Sequence, residues 1–127
     1  MSAYEIIDQS SEIETLVLAL NALDHTEGLS KKVFMDIHGN CDIIGAMYLY
    51  SAKQVGIPLK DTVKYGIHAI RLNPAVAQSL ISVCDMTYAN ASNIARREGV
   101  KNFVLRQIAL HMTVPEQSLP LELAHAA

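Results

Sequence analysis

A chain of 127 residues, half of them apolar and 18% charged, suits one domain around one real core and excludes a disordered or low-complexity protein. Two cysteines exclude a disulfide framework, and no apolar run approaches the roughly 18 residues of a membrane span. The formal charge of −3 argues mildly against a nucleic-acid partner, yet residues 1–50 hold eight acids and two lysines while residues 51–127 hold five acids and eight basic residues. That asymmetry permits a basic working surface on an acidic protein. The opening "MSAYEIIDQSSE" is acidic and lacks the features of a signal peptide, so a cytoplasmic chain is expected.

Nearly every segment carries helical period. Ser11 and Glu14 have capping-box spacing, and Ile13, Leu16, Val17, Leu20 and Leu23 follow on one face until Gly28 ends the helix. A short piece from Ser30 to Ile37 offers Val33, Phe34 and Ile37 before "HGN" breaks the backbone. Asn40 can cap a third helix with Ile43, Ile44, Met47, Tyr48 and Val55 inward and Gly56 as its stop. "IPLKD" opens a fourth, with Val63, Ile67 and Ile70 as its apolar stripe, and "RLNP" closes it because the residue before a proline leaves helical geometry. Asn73 and Pro74 are cap and first position of a fifth, carrying Val76, Leu80, Val83 and Cys84. After "DMTYAN" come two further pieces, and Pro115 and Pro120 mark a tail. Strand signals are absent. The expected architecture is all-α, six to seven helices in one domain: acidic assembly helices over 1–56, a region with a helix-turn-helix-like pair over 57–112, and a tail over 113–127.

The pair is read from "NIARREGVKNFVLRQI", residues 93–108, which sets three arginines and a lysine around one glycine. Counting from Ala91, Ile94, Ala95, Gly99, Val100, Leu105 and Ile108 fall where a helix-turn-helix needs its small residue, its turn and its apolar seam; Glu98 stands where an apolar residue is usual. Lys101, Asn102, Arg106 and Gln107 on the second helix suit base edges and phosphates, and Arg96 and Arg97 on the first suit a phosphate clamp. Two other readings stay open: a structural helical hairpin with Gly99 as a C-cap, because "FVL" and "IAL" leave little polar surface, and a protein-docking face.

From residue 69 onward, Arg71–Leu72 before a helix, "VAQSL" at 76–80, Met86–Thr87 and Ile94–Ala95, with "AMYLYSAKQV" upstream, resemble the FlhD-like transcriptional activators, all-helical subunits of the bacterial flagellar master regulator and their mobile-element relatives. The matches cover about half the chain. This sequence departs from the pattern in its longer N-terminus, in extra residues between Val55 and Arg71, and in Arg96, Arg97 and Gly99. The resemblance implies a dimer that joins a zinc-binding subunit of the FlhC type, binds promoter DNA with it and recruits RNA polymerase.

"MDIHGNCDII" brings Asp36, His38, Cys41 and Asp42 together, but only a His-x-x-Cys pair is visible where a metal site needs three or four ligands and a thiol nucleophile needs a base. No phosphate loop or HExxH is present. No catalytic residue, metal or cofactor is expected. The function expected is therefore a dimeric or hetero-oligomeric DNA-binding regulator, acting on double-stranded promoter DNA through Arg96, Arg97, Lys101, Asn102, Arg106 and Gln107. Its rival is a helical adaptor or inhibitor that binds only protein, and a small thiol or metal enzyme rests on "HGNC" alone.

Overall fold

The computed structural model describes residues 3–118, with side chains over 12–112. Helix α1 spans Ala3–Asp24, α2 Ile43–Gln54, α3 Thr62–Ala69, α4 Pro74–Ser82 and α5 Asn93–Ser118; a 3-10 turn at Leu59–Asp61 precedes α3 and a π-helical turn at Val83–Thr87 follows α4. Among the described residues there is no strand, and no helix is long and apolar enough to cross a membrane. Among the described residues five helices stand where six to seven were expected. One expected piece does not form, and two others are a single rod.

The piece that does not form is Ser30–Ile37. Its backbone finds partners across the chain and not along itself: Ser30 N–H donates to the Cys41 carbonyl at 2.9 Å, the Val33 carbonyl accepts from Asp42 N–H at 2.7 Å, and Lys32 sits at φ +58° with its N–H on the Asp85 carboxylate. Residues 25–42 are thus a strap fastened at both ends, at one side by Leu29 N–H donating to the Asn93 carbonyl of α5 at 2.9 Å.

α1 begins at Ala3, not at Ser11, because nothing in "YEIIDQ" interrupts helical backbone. Its buried side is Thr15, Leu16, Ala19, Ala22 and Leu23, while Val17 faces out. It ends at Asp24, before Gly28, where the Thr26 hydroxyl donates to the Ala22 carbonyl at 2.8 Å. The cap of α2 is Asp42, whose carboxylate accepts from Gly45 N–H at 2.9 Å; Asn40 instead donates to Asp36. Gly56, at φ +77°, stops α2 as expected. Pro58 leads the 3-10 turn into α3, and Asn73 and Pro74 start α4 as read, with the Asn73 side chain accepting from Val76 N–H at 3.0 Å. The buried Thr15 hydroxyl of α1 accepts from Asn73 N–H at 2.8 Å, tying the start of α4 to the core.

That core joins α1, α2, α4 and α5. Leu16, Leu23, Ile43, Met47, Leu80, Val100 and Val104 are sealed in it, with Cys84 and Cys41 packed alongside. Each such aliphatic side chain contributes about 1.5–3 kcal/mol relative to exposure. α3 stands at the edge of this core, packed chiefly on α2 among the longer helices.

Candidate functional site

The expected bend at residue 99 is absent. α5 runs unbroken from Asn93 through Gly99 to Ser118, so the helix-turn-helix pair is corrected to one continuous helix, which also takes in residues 113–118 of the expected tail. Residues 119–127 of that tail lie outside the described residues. Gly99 is needed for close approach and not for positive φ: a Cβ there would come within 2.2–2.4 Å of three ring atoms of Tyr88. The helix is capped by Ser92, whose hydroxyl accepts from Ala95 N–H at 3.1 Å.

The basic residues of this segment divide sharply. Arg96 is 4% exposed and points inward. Its Nε–H donates to the Tyr88 carbonyl at 3.1 Å, Nη1 to the Leu29 carbonyl at 2.7 Å and to Asn93 Oδ1 at 2.8 Å, and Nη2 to the Ala89 and Ala91 carbonyls at 3.2 and 2.8 Å. One guanidinium therefore pins the 88–93 turn and the strap at Leu29, and a phosphate at this group would have to break that set. Arg97, with its side chain 15% exposed, donates through Nε to the Leu23 and Thr26 carbonyls, both at 2.9 Å, and pairs with Glu98. It caps the C-terminus of α1, where carbonyls lack helical partners and the dipole favours a cation. Glu98, exposed, sits at no apolar seam. Lys101 Nζ lies 2.9 Å from Asp24 Oδ1, and that hydrogen bond holds the Asp24 carboxyl below its usual range. Asn102 and Arg106 are exposed one turn apart on the outward side of α5, while Gln107 is half-buried beside a hollow of about 170 Å³ that Phe103, Glu12 and His111 also line. The six predicted contacts thus lie on one helix but point to four different surroundings.

The "HGNC" stretch shows no reactive geometry. Asp36 accepts from the N–H groups of His38 and Asn40 and from the Asn40 side chain, an Asx-type turn that holds its carboxyl below the usual range, chiefly through Asn40. Cys41 is buried next to Asp42, and burial pushes its thiol up to about 11, opposite to activation by a helix N-terminus. Cys84 is pushed up to about 12 by burial. Among the described residues no three His, Cys, Asp or Glu side chains are placed to hold one metal ion.

The apolar stripe expected on the fourth helix is open to solvent at Val63 and Ile67. α3 presses Thr62 and Gly66 against α2, and Gly66 is required there: a Cβ would meet the Tyr48 ring at 2.1–2.6 Å. Tyr48 is in turn met edge-on by Phe34, with centroids 5.3 Å apart. With that side facing inward, the stripe 59–63–67 faces outward: Leu59 and Val63 are exposed and Ile67 is 64% exposed. Beside it the strap lifts Ile37, 85% exposed. Met35, Ile37, Leu59 and Val63, with Asp36 and Lys60 at the sides, enclose an open groove of about 590 Å³. The signal that could have found this face was the glycine: Gly66 flanks the apolar stripe of α3, and a close helix contact explains a glycine in the middle of an eight-residue helix. No known protein family, curated protein or solved structure matches the chain.

Proposed function

We propose that this protein is a helical interaction subunit that works by docking on another protein and has no catalytic chemistry of its own. The observation that carries the reading is the orientation of α3. An amphipathic helix has its apolar stripe turned to solvent and continuous with Ile37 and a groove, and its glycine side locked inward by Tyr48. Contiguous apolar surface of this kind marks interaction sites. The resemblance to FlhD-like subunits, which implies partnership with a zinc-binding FlhC-type chain and RNA polymerase, points the same way. The test is recovery of tagged wild-type chain and its Ile67→Asp variant from the native host after cross-linking. Discrete complexes present for the wild type and lost in the variant are expected; a wild-type chain that behaves like the variant overturns the reading.

A second reading, promoter binding, is favoured by the exposure of Asn102 and Arg106 on one side of α5. Their spacing would let Arg106 bond guanine and Asn102 bond adenine. Arg97 and Lys101 could join only by leaving the end of α1. Titration of promoter fragments at two salt concentrations tests it, alone and with the partner: affinity falling steeply with salt supports DNA contact, and no binding in either case removes it.

A further inference from the structure

We infer that the Ile37–Ile67 face receives an acidic amphipathic helix of another protein, its apolar residues laid along Leu59, Val63 and Ile67 and its carboxylates over Lys60 and Lys64. The inference rests on the docking reading above and names the chemistry of the partner. Its basis is the order of residue types around α3 and the 3-10 turn before it. With about 3.6 residues per turn, residues four apart share a stripe. The stripe of Thr62 and Gly66 is buried on α2. The next stripe round is apolar, Leu59, Val63 and Ile67, and the one after it is basic, Lys60, Lys64 and His68, every member of both being exposed. Asp61 belongs to the stripe beyond, with Tyr65, so the basic stripe stands between it and the apolar one. The other acid at the groove, Asp36, has both carboxylate oxygens engaged by its own turn, one by the N–H groups of His38 and Asn40 at 2.9 Å and the other by the Asn40 side chain at 3.0 Å. Lys60 and Lys64 form no ion pair among the described residues. The charges that adjoin the apolar stripe and lack a partner are therefore of one sign, and an acidic flank is their complement.

Shape selects a helix from the occupants such a surface could take. The apolar side chains of Ile37 on the strap and of Leu59 and Val63 line a hollow, and Ile67 continues the row beyond it. A bilayer surface takes up projecting side chains but does not fill a hollow, and the chain has no tryptophan to anchor at the headgroup level. A nucleic acid would meet the lysines and leave the apolar stripe in water. An extended peptide needs an unpaired sheet edge for its backbone, and among the described residues there is no strand. A helix satisfies its own backbone and carries a row of apolar side chains, spaced by three or four residues, that matches the 59–63–67 row in length. Acids four residues apart on its flank then face Lys60 and Lys64. The surface is formed in advance: the Gly66–Tyr48 contact fixes the rotation of α3, and the strap behind Ile37 is fastened by the Asp42-to-Val33 and Asn40-to-Asp36 hydrogen bonds. Little ordering of this chain is needed on association, which favours capture of a short segment.

The experiment is selection of a displayed library of helical peptides on the immobilised full chain, followed by fluorescence anisotropy of a labelled peptide from the enriched set. Enriched peptides are expected to carry large apolar residues at i, i+3 or i+4, and i+7, with Asp or Glu along one flank. Ile37→Asp and Ile67→Asp, neither of them in the core, should keep wild-type helical circular dichroism and should each weaken the labelled peptide by about tenfold or more. The double variant Lys60→Glu/Lys64→Glu should reverse the preference, binding better the same peptide with its acids replaced by lysine. No enrichment, an enriched set with basic or uncharged flanks, or a charge preference that the double variant leaves unchanged overturns the inference. So does binding to phosphatidylglycerol vesicles by a chain that enriches no peptide. The failures separate: host complexes lost in Ile67→Asp but kept in Lys60→Glu/Lys64→Glu keep the docking reading and remove the acidic partner, whereas a chain without such complexes loses both.

Discussion

The ring of Tyr88 lies directly over the backbone of Gly99, where a methyl group would come within 2.2 Å of Cζ. Glycine in the middle of an exposed helix is weaker than alanine by about 1 kcal/mol, so Gly99→Ala would ordinarily stabilise. Here the contact reverses the sign. The ring must move, and overpacking of a formed contact costs about 1–3 kcal/mol. Gly99→Ala is expected to lower the denaturant midpoint, and combining it with Tyr88→Ala should recover most of the added loss. A stabilised Gly99→Ala would show that the ring does not sit there.

Arg96 and Arg106, ten residues apart on the same helix, should behave as different kinds of residue. Arg96→Ala leaves four carbonyls and the Asn93 side chain without their donor, in a site the guanidinium fills. A loss on the order of 3 kcal/mol or more is expected, with Arg96→Lys recovering little because an ammonium cannot fork to several carbonyls. Lys101→Ala removes a partly exposed pair with Asp24 and should cost about 0.2–1 kcal/mol. Equilibrium unfolding of the variants checks the order.

Arg106→Ala, by contrast, should leave stability within about 0.5 kcal/mol of wild type, since the side chain is exposed. If promoter fragments bind at all, the same change should weaken the specific fragment by about 1–3 kcal/mol and relax discrimination at one base. Equal loss on every duplex would reduce Arg106 to a phosphate contact.

Most of the helices were legible because their boundaries are local chemistry. Gly56 at left-handed φ and the Asn73–Pro74 start are written in adjacent residues. What was not legible depends on partners far along the chain. Gly99 has the composition of a turn, yet its neighbour is Tyr88 across the turn. The arginines have the composition of a phosphate site, yet Arg96 reaches Leu29, 67 residues away, and Arg97 reaches Leu23, 74 away. Val63 and Ile67 have the period of a buried face, and period alone does not say whether this chain or another covers it.

The two thiols should be silent in the native protein. Burial raises Cys41 to about 11 and Cys84 to about 12, so little thiolate exists near neutral pH, and both sulfurs are shielded. Thiol titration with a disulfide reagent at pH 8 is expected to find no fast-reacting group until denaturant is added, and then two. A fast-reacting thiol in the folded chain would reopen the enzyme reading of "HGNC".

Asp42 gives the fold a pH dependence of unusual sign. Its carboxyl caps α2 but is buried, and burial, with the nearby Asp85 adding to it, raises it from 3.8 to about 6 even though Gly45 N–H donates to it. Between these values the folded chain keeps a proton that the unfolded chain has released, so the stability tied to this group is full below about pH 4 and is lost as pH rises through about 6. A shift of that size corresponds to roughly 2–3 kcal/mol between the two plateaus. Asp24 and Asp36, held low by Lys101 and Asn40, act in the opposite direction: their stability is present above the ordinary carboxyl range and is lost on acidification. Asp42→Asn isolates the first effect, since its side-chain oxygen can still accept from Gly45 N–H while the charge is gone. The variant is expected to match wild type near pH 4, to exceed it by about 2 kcal/mol at pH 7–8, and to lack the decline between. Asp42→Ala should lose the cap and fall about 1 kcal/mol below Asp42→Asn at every pH. A wild-type stability that rises from pH 4 to pH 7 with the same slope in Asp42→Asn would show that the carboxyl ionises freely at the head of α2.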